Sequence, residues 1–350
     1  MNKFILFLFL PLLLLSCKGK SPAPLPGDAS QVQTLSVHPS DEPFDRLDEW
    51  LEIDRIVRLA DEVPIGEVRR ILIQNELIFI LDRTPRLLCY NMDGTLRYQI
   101  DNKGGGPEEY GNLLDFAVNA PLGQLLAYDN QKRKIIRYDL DSGEFLSALA
   151  LTGLFPMHIA LSGGAFYFDT PDHFNTSGKK DLYYSLIYSL NGSAVDGRFF
   201  PHDAVSDYDF EFGNGHPFYY SNDTLLYNKR FDDLIYRLEA GQVTPCYRLD
   251  LPEPLPLSLV ENKANPADLI QSRYSWGISD VFVCEDLLYC WFTKAASFQT
   301  VFYDLKANKQ IYCGRIPWSR PTRKLPLFFP IGGVYGNTFF LGGGTGIYPG

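Results

Sequence analysis

"KGGGPEEYGNLLDF", Lys103 to Phe116, decides how this chain is read. Three glycines beside a lysine suggest a loop that wraps a phosphate. A phosphate loop, however, runs GxxxxGK[ST] from a strand into a helix. Here neither a Lys-Ser/Thr pair nor a helix-forming segment follows, so the dinucleotide pattern fails too. Glu108 and Glu109 would repel a phosphate. The stretch lies between two apolar runs with strand character, "TLRYQI" before it and "LLDFAV" within and after it, and so reads as a connection between sheets.

Outward from that point a repeat emerges. A tyrosine followed by a tight turn occurs in "CYNMDGTL", "RYDLDSGEFL", "IYSLNGSAV", "IYRLEAGQVT" and "FYDLKANKQI", at Tyr90, Tyr138, Tyr188, Tyr236 and Tyr303. The turn dipeptides tolerate positive φ, as hairpin connections demand. Ahead of each lies an apolar strand introduced by a polar turn, as in "NELIFILD", "GQLLAYD" and "GGAFYFD". "LIFILD" is apolar throughout, the pattern of a strand covered on both faces. A third run precedes each of these, as in "VRRILI", "LLDFAV" and "MHIAL". The unit is four strands recurring every 40–70 residues or so, the period of a β-propeller blade. Counting units predicts an all-β, six-bladed propeller. Its last blade is short at the C-terminus and is closed by an N-terminal strand, "WLEIDRIVRL", with "VQTLSV" as a further edge strand.

Composition fits this class. The 350 residues include 25 Phe and 21 Tyr against 3 Met, which favours pleated surfaces over helices. The formal charge of -10, with no basic cluster, argues against nucleic-acid binding. Cys89, Cys246, Cys284, Cys290 and Cys313 are odd in number and form no CxxC, so they read as buried small hydrophobes.

The N-terminus gives an address. Lys3, an apolar run from Phe4 to Leu15 and then Ser16-Cys17 have the form of a secretion signal too short to span a bilayer. Leu14-Leu15-Ser16-Cys17 resembles the lipobox of bacterial lipoproteins, which implies cleavage before Cys17 and lipidation of that residue. The expected organisation is a signal peptide at 1–16, a lipidated Cys17 with a flexible tether over 17–47, and a propeller over 48–350. Lys18-Gly19-Lys20 is not acidic, which favours an outer-membrane lipoprotein facing the periplasm over one on the cell surface.

"GGGPEEYGNLLDFAVNAPLGQLLAYD" resembles the NHL-type repeat, in which G-x-G-P-x-E-[F/Y] leads into an inner strand and then a strand ending in Asp. With the lipobox, the chain is similar to six-bladed propeller lipoproteins of Gram-negative bacteria. That family carries no common activity, so the resemblance implies a fold and an address.

Aligning the blades places Arg69, Arg70, Asp115, His158, His216, Trp276 and Asp280 on or just before inner strands, where they would line a channel. They suit a small polar or glycan ligand, or a protein partner on the loop face. The expected role is therefore a binding module without a cofactor, anchored to the membrane by its lipid. The alternative is a metal-dependent hydrolase or lyase, since lactonase-like and lyase propellers, which the chain resembles, hold calcium or zinc in the channel. Hard cations need about six oxygen ligands, and only Asp115 and Asp280 offer carboxylates. His158 and His216 alone leave a catalytic zinc short of its usual three ligands. No catalytic residue stands out, since neither HExxH nor GxSxG occurs.

Overall fold

The computed structural model describes residues 32–40, 54–170, 183–202, 216–261, 268, 271–315 and 331–341. The expected signal peptide, Cys17 and most of the expected tether lie outside them, as do residues 171–182 and 342–350. Among the described residues no helix is long and apolar enough to cross a membrane.

An edge strand β1 (Gln33–Ser36) comes first. Blade one follows as β2 (Val68–Gln74), β3 (Leu77–Asp82), β4 (Leu87–Asn91) and β5 (Leu96–Ile100). Blade two is β6 (Leu113–Asn119), β7 (Gln124–Asp129), β8 (Lys134–Asp139) and β9 (Phe145–Ala150). Blade three is β10 (His158–Ser162), β11 (Ala165–Asp169), β12 (Tyr183–Ser189) and β13 (Gly197–His202). Then come β14 (Phe218–Ser221), β15 (Thr224–Asn228), β16 (Leu234–Glu239) and β17 (Gln242–Asp250). A further four-stranded blade holds β18 (Ser275–Cys284), β19 (Leu287–Lys294), β20 (Ser297–Asp304) and β21 (Lys309–Gly314). The hairpin of β22 (Ile331–Tyr335) and β23 (Thr338–Leu341) ends the described chain.

The fold is an all-β propeller, but the sixfold expectation is corrected. Among the described residues there are four separate four-stranded blades, not six. The remaining strands merge into one seven-stranded sheet, ordered β1-β17-β16-β15-β14-β22-β23. The cause is pairing between inner strands: β14 meets β22 in parallel at Ser221 and Val334. The expected closure by "WLEIDRIVRL" is also corrected. Residues 54–60 carry no strand, and Ile56 is 79% exposed. Val57 and Leu59 instead pack on the outer side of blade one, and the Ala60 N–H donates to Gly94 O at 2.8 Å. Gly94 has φ +88°, and a Cβ there would lie 2.1 Å from Arg58 O, so only glycine fits this crossing. The edge strand expected at "VQTLSV" does form: β1 pairs in parallel with β17, from Gln33 opposite Tyr247 to Ser36 opposite Asp250.

The core lies between sheets, which explains the two-sided apolar strands. All six residues of β3 are buried. One cluster joins Phe79 and Leu81 of blade one to Phe116, Ile136 and Tyr138 of blade two. A second joins Tyr128 and Ile135 to Ile159 and Phe168 of blade three. All five repeating tyrosines, Tyr90, Tyr138, Tyr188, Tyr236 and Tyr303, are buried in these inter-sheet layers or against the blade-one flank.

The glycine loop is architecture. Gly106 donates its N–H to Glu109 Oε2 at 2.6 Å, so the loop cradles an anion supplied by its own chain. A Cβ on Gly104 would meet that carboxylate at 2.1 Å. Lys132 donates to Glu109 O at 2.9 Å and Lys134 to Pro107 O at 2.7 Å, tying the loop to blade two. The aspartates that end the second strands of blades one and two complete the device. Asp82 Oδ2 accepts the Gly66 N–H at 3.1 Å, and Asp129 Oδ2 accepts the Gly111 N–H at 2.7 Å. Blades one and two thereby each fix the segment leading into their own inner strand.

Candidate functional site

Four of the expected channel residues meet around one carboxylate. Asp115, on β6, has a side chain only 2% exposed. Its Oδ1 accepts from Arg70 Nη1 at 2.5 Å and from the Phe116 N–H at 2.8 Å. Its Oδ2 accepts the Ile159 N–H at 2.7 Å and faces His216 Nε2 at 2.9 Å and His158 Nδ1 at 3.8 Å. Arg70 belongs to β2, Ile159 to β10, and His216 lies just before β14. One buried side chain thus stitches together inner strands from blades one, two and three and from the seven-stranded sheet.

Local irregularity aims these groups. The β2–β3 register shifts between Val68 and Arg70, and the β6–β7 register between Leu113 and Asp115. Such bulges re-aim a side chain. Arg70 also donates to Phe116 O, and its guanidinium lies over the Phe116 ring, 4.9 Å from the centroid. The two imidazoles stand edge to face with centroids 4.6 Å apart, and both are partly exposed.

The electrostatics follow from this packing. Burial alone would raise the Asp115 carboxyl, but the Arg70 guanidinium, and after it His216, outweigh burial and hold it well below the usual carboxylate range. Burial, reinforced by His216, pushes the His158 imidazole down to about 3. Burial and then Arg70 lower His216 as well. The cluster at neutral pH is a charged Arg70–Asp115 pair carrying two neutral imidazoles. Such perturbed, converging groups mark functional sites more often than chance, though structural networks also produce them.

The other expected residues are elsewhere. Arg69 lies beside the cluster and donates to Leu113 O at 3.4 Å. Trp276 lines a cavity of about 90 Å³ with Phe231, Asp232, Leu251 and Ile278. Asp280 sits at an irregularity of β18 with φ +51° and accepts from Trp291 Nε1 at 2.6 Å. Burial raises its carboxyl to about 6, against the opposing Trp291 bond. Two neighbours escaped the sequence reading. Tyr220 sits close enough for Arg70 and Asp115 to perturb it, and its hydroxyl accepts the Leu161 N–H at 2.8 Å. Arg230 acts on His158 from the turn after β15. In sequence one reads as part of an apolar run and the other as a turn residue.

Among the described residues, Asp115, His158 and His216 are a group with ligand atoms all within 4.8 Å of one another. The fold thus brings Asp115, which the sequence reading weighed only as an oxygen donor to a hard cation, to the two histidines.

Inter-sheet cores, radial sheets and converging inner strands define a β-propeller with a polar cluster at its inner strands. The chain belongs to the family described as Domain of unknown function (DUF4934), whose profile matches residues 55–342. Its fold is similar to a candidate exported protein from Bacteroides fragilis, at 21% identity and TM-score 0.68, covering 81% of this chain and 80% of that one. It is also similar to a member of the DUF4221 family from Bacteroides vulgatus, at 11% identity and TM-score 0.51, covering 75% of this chain and 84% of that one. No curated protein matches the sequence.

Proposed function

We propose that this propeller is a binding module that takes a small polar ligand at the Arg70–Asp115–His158–His216 cluster. The observation that carries the reading is the convergence of these four side chains from four successive inner strands. Burying an ion pair brings little net stability, so the fold gains little from this arrangement beyond the two part-exposed imidazoles it presents. The Nε2 edge of His158 and the Arg70 guanidinium offer directional hydrogen bonds to hydroxyl or carboxylate oxygens, such as those of a sugar or sugar acid. In this reading Cys17 carries the lipid, and the module works in the cell envelope on the periplasmic side of the outer membrane.

The test is a thermal-shift screen of the purified full-length chain against neutral sugars, sugar acids and sugar phosphates. A ligand at 100 times its Kd stabilises by about 2.7 kcal/mol, which for a chain of this size is a rise of roughly 5 °C. The reading expects such a rise for one class of compound and its loss in His158→Ala and His216→Ala. It fails if no class shifts the melting point, or if the shift survives in both variants. In the second case a pull-down from intact cells, with Cys17→Ala as control, becomes the next step.

A further inference from the structure

His158 raises a hydrogen-bonding problem that a protein-only network does not solve. His216 Nδ1 lies 2.9 Å from Phe218 O, and its Nε2 lies 2.9 Å from Asp115 Oδ2. The Phe218 N–H also reaches Nδ1, at 3.3 Å, so one neutral tautomer accepts there and donates Nε2–H to Asp115. In the other tautomer Nδ1–H goes to Phe218 O and the Nε2 lone pair is free for a cation shared with the carboxylate. His158 Nδ1 has no such solution. It is buried, has no hydrogen-bond partner, and lies 3.8 Å from the same Oδ2.

We infer that Asp115 Oδ2, His158 Nδ1 and His216 Nε2 form a binding site for one divalent transition metal ion of the zinc type. A cation at the point where the three atoms converge supplies the partner that His158 Nδ1 lacks. The donor set of two imidazoles and one carboxylate suits zinc, whose catalytic sites use three protein ligands and keep one position open. Bonds of about 2.0–2.1 Å place tetrahedral ligand atoms roughly 3.3 Å apart. The observed 2.9 and 3.8 Å bracket that value, and all three atoms lie within 4.8 Å of one another.

The surrounding contacts are those that orient metal ligands. With the ion bound, Nδ1–H of His216 would donate to Phe218 O, 2.9 Å away, and direct Nε2 inward. Arg70 and the Phe116 N–H occupy Oδ1, and the Ile159 N–H takes one lone pair of Oδ2, leaving another for the ion. Arg70 has a second effect. A divalent ion added to one cation and one carboxylate leaves a net charge of +2, which calls for an anionic fourth ligand. The inference shares the site of the ligand-binding proposal but does not depend on it.

The test uses tag-free, full-length protein stripped with chelator and titrated with Zn²⁺, then with Co²⁺ as a spectroscopic probe. One equivalent is expected to remain after dialysis, with a visible cobalt spectrum of tetrahedral intensity. His158→Ala and His216→Ala are each expected to weaken retention by at least tenfold, while the exposed His38→Ala retains it. His158→Gln, with circular dichroism on every variant, separates loss of a ligand from loss of the fold. The inference is overturned if the wild type retains no ion, or if folded His158 and His216 variants retain as much. Repeating the sugar screen on stripped protein keeps the two readings apart: a ligand shift without metal leaves the binding module standing, and metal retention without any ligand shift leaves the metal site standing.

Discussion

Asp129→Ala is the sharpest test of the blade architecture. The carboxylate is fully buried at the end of β7 and takes four backbone N–H groups: Gly111 at 2.7 Å, Asn112 at 3.2 Å, and Gln131 and Lys132 both at 3.1 Å. Each such bond contributes about 1 kcal/mol net, and more when the acceptor is ionised. Truncation would orphan all four donors, although Asn112, Gln131 and Lys132 lie near enough to solvent to recruit water in part. The expected loss is about 3–4 kcal/mol, large for a single substitution. It should lower the melting temperature by roughly 6–7 °C. Asp139→Ala is the matched control, because Asp139 accepts three similar bonds in an exposed turn. Urea unfolding followed by tryptophan fluorescence compares the two. If Asp129→Ala costs no more than about 1 kcal/mol beyond Asp139→Ala, the strand-end aspartate does not anchor the segment into the inner strand.

Two further expectations concern single groups. The Asp280 carboxyl, raised to about 6 by burial, binds a proton more tightly in the folded than in the unfolded state. Stability should therefore fall as pH rises from about 4 to 6, by an upper limit of about 2–3 kcal/mol, and Asp280→Asn should flatten that slope in denaturation curves at pH 4.5 and 7; an unchanged slope would rule the assignment out. Burial pushes Cys313 up to about 12 and Cys89 and Cys246 up to about 11, and Cys284 and Cys290 are buried as well. These five thiols should resist alkylation in native protein at pH 8 and react together in urea, so rapid labelling of any of them in the native state would contradict the packing described.

Local signals were readable in the sequence and non-local ones were not. The tyrosine-turn motif located the hairpins β4–β5, β8–β9, β12–β13, β16–β17 and β20–β21, because positive-φ dipeptides and strand propensity act within a few residues. Blade number depends instead on which inner strands pair. The contact of Ser221 with Val334 joins residues 113 apart and leaves no local pattern. The site shows the same division. Arg70, Asp115, His158 and His216 could be named as polar residues at the starts of inner strands. That they share one carboxylate followed from bulges at Arg69 and Leu114, which sequence does not display. The irregularities of β18 likewise turn Trp276 toward a side cavity and Asp280 toward Trp291.

The parallel strand β1 sets an order of assembly. It leaves the ribosome among the first segments, yet its partner β17 lies more than 200 residues downstream, and Ser40 must find Cys313 O later still. At about 5–20 residues per second, that partner emerges roughly 10–40 s afterwards. Leu35 and Val37, both fully buried at the end, have nowhere to go in the meantime. The segment is a latch that closes only when the rest is built. A chain that stops early would leave this apolar stretch open to any chaperone or protease waiting nearby.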